Sequence, residues 1–167
     1  MSELYTLQDC NTGRQASQRY ALASADQILA AARHAIDIKM QRGASFASPQ
    51  PVKDYLVMKL AGLEHEVFAV LFLDSKNQLI NYAELFRGSI NSAYIHPREV
   101  LKEALQHNAA GVIIAHNHPS GNPQPSTLDI DITQKLKTTL DLVEIAVLDH
   151  IIVAGQQTVS FVECGLL

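Results

Sequence analysis

Hydrophobic positions along the chain fall into alternating blocks of helical and strand periodicity. Ile28, Leu29, Ala32, Ala35 and Ile36 recur at helical spacing and predict an amphipathic helix over 25–41. Ser24 and Gln27 form the sequence signature of a capping box at its start, and Gly43 follows its end. The first 20 residues are polar and irregular. The stretch SFASPQP (45–51), with Pro49 and Pro51, reads as a boundary into a main domain. A second helix is predicted over 51–61, with Val52, Tyr55, Leu56, Lys59 and Leu60 on one face and Gly62 at C′. Residues 66–74, EVFAVLFLD, are apolar at successive positions, as in a central strand covered on both faces. The turn Ser75-Lys76-Asn77 leads into a strand over 78–86, Gly88 breaks it, and Ile90 to Ile95 read as a third strand.

Pro97 suits the first position of a helix over 97–108, whose face is Val100, Leu101, Ala104 and Leu105. Gly111 to Ala115 form a short buried strand, and HNHPSGNPQPS (116–126) is a Pro- and Gly-dense loop. A fourth helix starts at Ser126, with Leu128, Ile132, Leu136 and Leu140 repeating every four residues. Three strands finish the chain, 143–148, 151–154 and 158–162, with Gly155-Gln156-Gln157 as a hairpin turn between the last two. Helices alternating with buried strands define an α/β class with a mixed sheet. The predicted organisation is an N-terminal arm and helix over 1–45 and a main domain over 46–167.

Composition narrows the class further. At 167 residues with 47% hydrophobic and 18% charged, the chain has the makeup of a globular domain, not of a disordered or coiled-coil protein. The longest clean apolar runs, Val67–Leu73 and Ala109–Ala115, fall well short of the about 20 residues that a membrane span needs. No basic start followed by an apolar core opens the chain, so a cytoplasmic location is expected. Cys10 and Cys164 have no Cys or His at metal spacing, which fits free thiols in a reducing compartment. Thirteen basic against 17 acidic residues leave a net charge of −4, without the basic excess of a protein that holds duplex DNA by its phosphates.

Among the seven histidines, only His116 and His118 form a tight pair. Extended backbone sends residues i and i+2 to the same side, so both imidazoles address one point just beyond a strand. Pro119, Pro123 and Pro125 restrict the loop, Gly121 permits a tight turn, and the loop delivers Ser126 and Asp129 to a helix start. Two imidazoles and a carboxylate are a three-ligand set for Zn²⁺ with the fourth position open to water, the pattern of a catalytic zinc. Zinc lowers the pKa of bound water to about 7. A further carboxylate is needed as general base, and Glu66, at the mouth of the buried strand, is placed for it.

His116-Asn117-His118-Pro119, six residues, Ser126, two residues, Asp129 resembles in full the JAMM motif of JAB/MPN metallopeptidases. LFLD (71–74), LFRG (85–88), HPREV (96–100), HNAAGVIIAHNHPSG (107–121) and LDHIIV (148–153) are similar to the RadC-like branch of that superfamily. The resemblance spans about 46–167 and looks like a short form without the longer N-terminal helical region of full-length RadC proteins. It implies a JAB/MPN, cytidine-deaminase-like mixed sheet flanked by helices, with the N-terminal helix as an extension. It implies that His116, His118 and Asp129 hold Zn²⁺, that Ser126 stabilises an oxyanion, and that Glu66 works as the base, with Glu64 as its competitor on the same strand face. The implied reaction is amide or isopeptide hydrolysis of a protein or peptide substrate.

Simpler roles compete at several of these positions. Ser126-x-x-Asp129 is also a plain capping box, a role compatible with ligation. Glu66 also suits a charge at a strand entry. His150 reads as a buried hydrogen-bonded histidine or as a partner behind the site; His65 and His96 read as surface or cap residues; Arg98 and Glu99 belong to the first turn of a helix. The consecutive HNH letters lack the longer unit of the nuclease of that name, and a zinc deaminase would need H-x-E and P-C-x-x-C, which are absent. A two-metal nuclease would need a carboxylate-rich site. The rival to a peptidase is a non-catalytic metal-binding interaction module associated with DNA repair or mobile elements. The helix over 25–41 packs on its own domain or pairs two subunits in a homodimer.

Overall fold

The computed structural model describes residues 5–7, 21–39, 45–46, 48–88 and 95–167. The chain divides into two compact units, at residues 1–39 and 40–167. In the first, β1 (Tyr5–Leu7) pairs antiparallel with β2 (Ala21–Ala23), and α1 (Ala25–Lys39) follows. A strand at 5–7 was not expected from the polar opening; it is three residues long, too short to show a period. The capping box of α1 is present: Gln27 N–H donates to Ser24 Oγ at 3.3 Å, and Ser24 N–H donates to Gln27 Oε1 at 2.9 Å.

The second unit holds α2 (Pro49–Leu60), β3 (Val67–Leu73), β4 (Leu79–Arg87), α3 (Pro97–Gln106), β5 (Gly111–Asn117), α4 (Thr127–Asp141), β6 (Ala146–Ala154) and β7 (Gln157–Ser160). The strands form one five-stranded mixed sheet in the order β4-β3-β5-β6-β7, parallel only between β5 and β6. Every residue of β3 and β5 is buried, as the unbroken apolar runs require of central strands covered on both faces. Phe68, Val70, Phe72, Val112 and Ile114 pack with Val100 and Ala104 of α3 and Leu136 and Leu140 of α4. Helix α2 lies against β5, β6 and β7 and buries Val52, Tyr55, Leu56 and Leu60, the predicted face.

Four expectations need correction. Helix α2 starts two residues before the predicted 51, so Pro49 lies inside it instead of in the boundary stretch: Ser48 is its N-cap and Pro49 occupies N1, where a missing N–H costs nothing. The two predicted strands around 149–150 are one continuous strand, because Asp149 and His150 have internal partners. Asp149 accepts from His150 N–H (2.7 Å), Val162 N–H (3.1 Å) and Ser160 Oγ–H (2.6 Å), so a buried carboxylate sits in the sheet fully paired. The face of α4 is rotated: Thr133, Leu136 and Leu140 are buried, and Leu128 is 71% exposed. Leu105 of α3 is likewise exposed. The strand expected at Ile90–Ile95 falls almost wholly on 89–94, outside the described residues.

Candidate metal centre

β5 runs into a short loop, α4 and then β6, a strand–helix–strand unit whose two strands are parallel. In such units ligands gather beyond the carboxyl ends of the strands. His116 is the penultimate residue of β5 and His118 lies one residue past its end. His118 N–H still donates to Val153 O at 2.8 Å, so the ladder with β6 continues and keeps the backbone extended through both histidines. As expected of residues i and i+2, the rings converge, with Nε2 atoms 2.9 Å apart.

The loop brings the carboxylate back. Gly121 adopts φ +77°, a left-handed turn that glycine takes without strain, and its N–H donates to His118 O. Ser126 caps α4: Asp129 N–H donates to Ser126 Oγ at 3.2 Å, and Asp129 Oδ2 accepts from both Ser126 N–H and Ser126 Oγ–H at 2.7 Å. The same carboxylate faces the histidines, with Oδ1 3.2 Å from His116 Nε2 and Oδ2 3.6 Å from His118 Nε2. Capping and convergence on the histidines therefore coexist at Asp129.

His116, His118 and Asp129 form, among the described residues, one group whose donor atoms all lie within 4.8 Å of each other and could hold a metal ion. Tetrahedral ligation at about 2.0–2.1 Å would put ligand atoms about 3.3–3.4 Å apart. The 2.9, 3.2 and 3.6 Å separations bracket that value. His118 Nδ1 lies 2.7 Å from Asn122 O, which can only accept, so Nδ1 carries a proton and Nε2 is the ring atom turned toward the group and available to a metal.

Electrostatics at the site follow from partial burial and proximity. Burial by itself would raise the Asp129 carboxyl, but hydrogen bonds from His116, His118 and Ser126 outweigh it and hold the group well below the usual carboxylate range. His118 is raised, chiefly by its bond to Asp129, against the lowering effect of burial. His150, completely buried, is pushed well below the ordinary imidazole range, first by desolvation and then by His116.

Glu66 immediately precedes β3, which is antiparallel to β5, so the start of β3 lies beside the end of β5. Its carboxyl is half-buried and raised by desolvation; His116 and His118 lower it and Asp129 raises it, so it stands within electrostatic reach of all three. Glu64, its competitor from the sequence, is exposed. Ser126 is beside the group with its hydroxyl donated to Asp129.

Two contributors, Asn117 and Thr133, were not read from the sequence, whereas His150 is the buried, hydrogen-bonded histidine behind the site that the sequence suggested. Asn117 is 3% exposed; its Oδ1 accepts Val67 N–H at 2.8 Å and its Nδ2 donates to His65 O at 3.0 Å. It thereby ties down the backbone on both sides of Glu66. Asn117→Ala is expected to cost about 1–3 kcal/mol for each backbone group left without a partner, measured by urea unfolding. His150 and Thr133 lie behind His116, and the sequence signal for Thr133 is its place one helical turn after Asp129. His65, expected at the surface, is half-buried, with Nε2 inaccessible and lacking a hydrogen-bond partner.

Asp129→Asn separates ligation from capping. Asparagine keeps an acceptor for Ser126 but loses the anionic ligand. Zinc affinity is expected to fall clearly while thermal stability changes little; an unchanged zinc titration would assign Asp129 to the cap alone.

The family described as the RadC-like JAB domain matches residues 46–166. A UPF0758 protein of Vibrio cholerae is 54% identical over 141 residues, 84% of this chain and 89% of that protein. UPF0758 proteins of Methylibium petroleiphilum and Pseudoalteromonas translucida are 52% identical over 140 residues and 57% over 129. This chain covers 63% and 58% of their respective lengths, and the alignments take in 84% and 77% of it. No described helix is long and apolar enough to cross a membrane. The five-stranded mixed sheet with flanking helices, the His-His-Asp group at the end of β5 and the match over 46–166 lead to one conclusion: the chain belongs to the RadC-like JAB domain family.

Proposed function

We propose that the protein is a zinc-dependent hydrolase that cleaves an amide or isopeptide bond in a protein or peptide. The observation that carries this reading is a division of labour among acidic groups. Asp129 is drawn into the histidine pair and kept ionised, while Glu66 stands near the same point with its carboxyl raised by burial. Two carboxyls whose surroundings push their proton affinities apart are the mark of one fixed ligand and one proton carrier.

His116, His118 and Asp129 would hold the metal, with the fourth position open. A zinc ion there supplies Lewis acidity and a water that ionises near neutral pH. Glu66 accepts a proton from water and returns it to the leaving amine. The Ser126 hydroxyl, anchored on Asp129 by its 2.7 Å bond, turns to donate to the oxygen that gains charge. Asn117 holds the backbone that carries Glu66.

A panel of peptide and isopeptide substrates, assayed before and after chelation, tests the proposal. Turnover abolished by the chelator and restored by zinc is the expected outcome. Stoichiometric zinc without turnover on any amide substrate would favour a metal-bearing interaction module in its place.

A further inference from the structure

Two buried polar side chains stand outside the three-residue group yet connect its members. His150 and Thr133 both have 0% exposure. His116 Nδ1 lies 2.8 Å from His150 Nε2, His150 Nδ1 lies 2.6 Å from Thr133 Oγ1, and Thr133 Oγ1 lies 2.5 Å from Asp129 O. A continuous hydrogen-bonded chain thus runs from the ring of one ligand candidate to the backbone of another. Phe161 and Phe68 enclose the His150 ring, with centroids at 4.5 and 6.0 Å, so the chain is sealed in the core.

Proton counting fixes its direction. A carbonyl oxygen only accepts, so Thr133 must donate to Asp129 O and has no second proton to give. His150 Nδ1 must then be the donor to Thr133. His116 Nδ1 and His150 Nε2 face each other at 2.8 Å, so one of them donates and the other accepts. An imidazole that ligates through Nε2 keeps its proton on Nδ1, so on the metal reading His116 Nδ1–H is the donor, His150 Nε2 the acceptor, and His116 Nε2 would offer its lone pair to the metal. His118 reaches the same state by a different route, through Asn122 O.

We infer that His150 and Thr133 are positioning residues, a buried relay that sets the tautomer of His116 and ties its ring to the helix turn bearing Asp129. The inference rests on the metal reading above. It also explains a threonine at a core position of α4, where the packing alone would suit valine.

Thr133→Val tests it. The substitution keeps the shape, removes the hydroxyl and touches no ligand side chain. Without an acceptor at its Nδ1, His150 is driven to carry its proton on Nε2, which forces the Nε2–H form of His116 into the site. Zinc or Co²⁺ affinity is expected to fall about 10–100-fold, the range for loss of a group behind a metal ligand, and Thr133→Ser should restore it. A merely structural threonine would leave metal affinity unchanged in the valine variant. Long-range ¹H–¹⁵N imidazole spectra of the zinc-loaded wild type decide the matter even if that variant does not fold. Protons on Nδ1 of both His116 and His150 support the relay, and a proton on Nε2 of His150 overturns it. A wild type that binds no zinc overturns the metal reading and the relay with it, whereas tight zinc binding equal in wild type and Thr133→Val overturns the relay alone.

Discussion

Glu66→Gln is expected to leave zinc content and fold intact and to lower turnover by at least about 10²-fold, the lower end of what general acid–base catalysis contributes. The side chain sits where β3 begins, half-buried beside the end of β5, and burial raises its carboxyl while His116 and His118 pull it down. Burial is the larger influence, so the carboxyl is raised above its ordinary value, the direction that favours taking a proton from water. Glutamine preserves shape and hydrogen-bonding reach but cannot take that proton. Glu64→Gln should be nearly silent, since Glu64 is exposed two residues earlier in the chain. Normal turnover in Glu66→Gln with a dead Glu64→Gln would move the base to Glu64. Normal turnover in both would place the proton carrier elsewhere.

His118→Ala is expected to lose the metal and, with it, most activity. His118 contributes one of three donor atoms, and its ring is held by Asn122 O. Removing a direct ligand should weaken zinc binding by more than the about 10–100-fold typical of an outer partner. The fold should survive, because the backbone bond from His118 N–H to Val153 O does not depend on the side chain. Elemental analysis of the variant checks this; full zinc retention would show the ligand assignment to be wrong.

What the sequence disclosed, and what it hid, follows from how local each signal is. The i, i+2 histidines and the Ser126–Asp129 cap lie within 14 residues, and strand period and helix capping alone bring them together. Periodicity likewise located α2, β3 and β5, whose apolar runs have no competing interpretation. Asp149-His150 misled, because two polar residues within an apolar run resemble a strand break until their buried partners are known. Leu128 misled because an apolar repeat of four slowly rotates around a helix, so its first member faces outward while Thr133 faces in. Asn117 could not be found from local pattern at all: its partners, His65 and Val67, are some 50 residues away and meet it only through the antiparallel pairing of β3 with β5. The same long-range pairing is what brings Glu66 to the histidines.

Metal content of the wild-type protein, purified without chelator and dialysed against low-micromolar zinc, tests the central claim most directly. Two converging imidazoles and an ionised carboxylate at tetrahedral spacing predict about one tightly held zinc ion per chain. A protein that retains only trace metal after that treatment would contradict the account, since the ligand assignment and the proposed hydrolysis both require the ion.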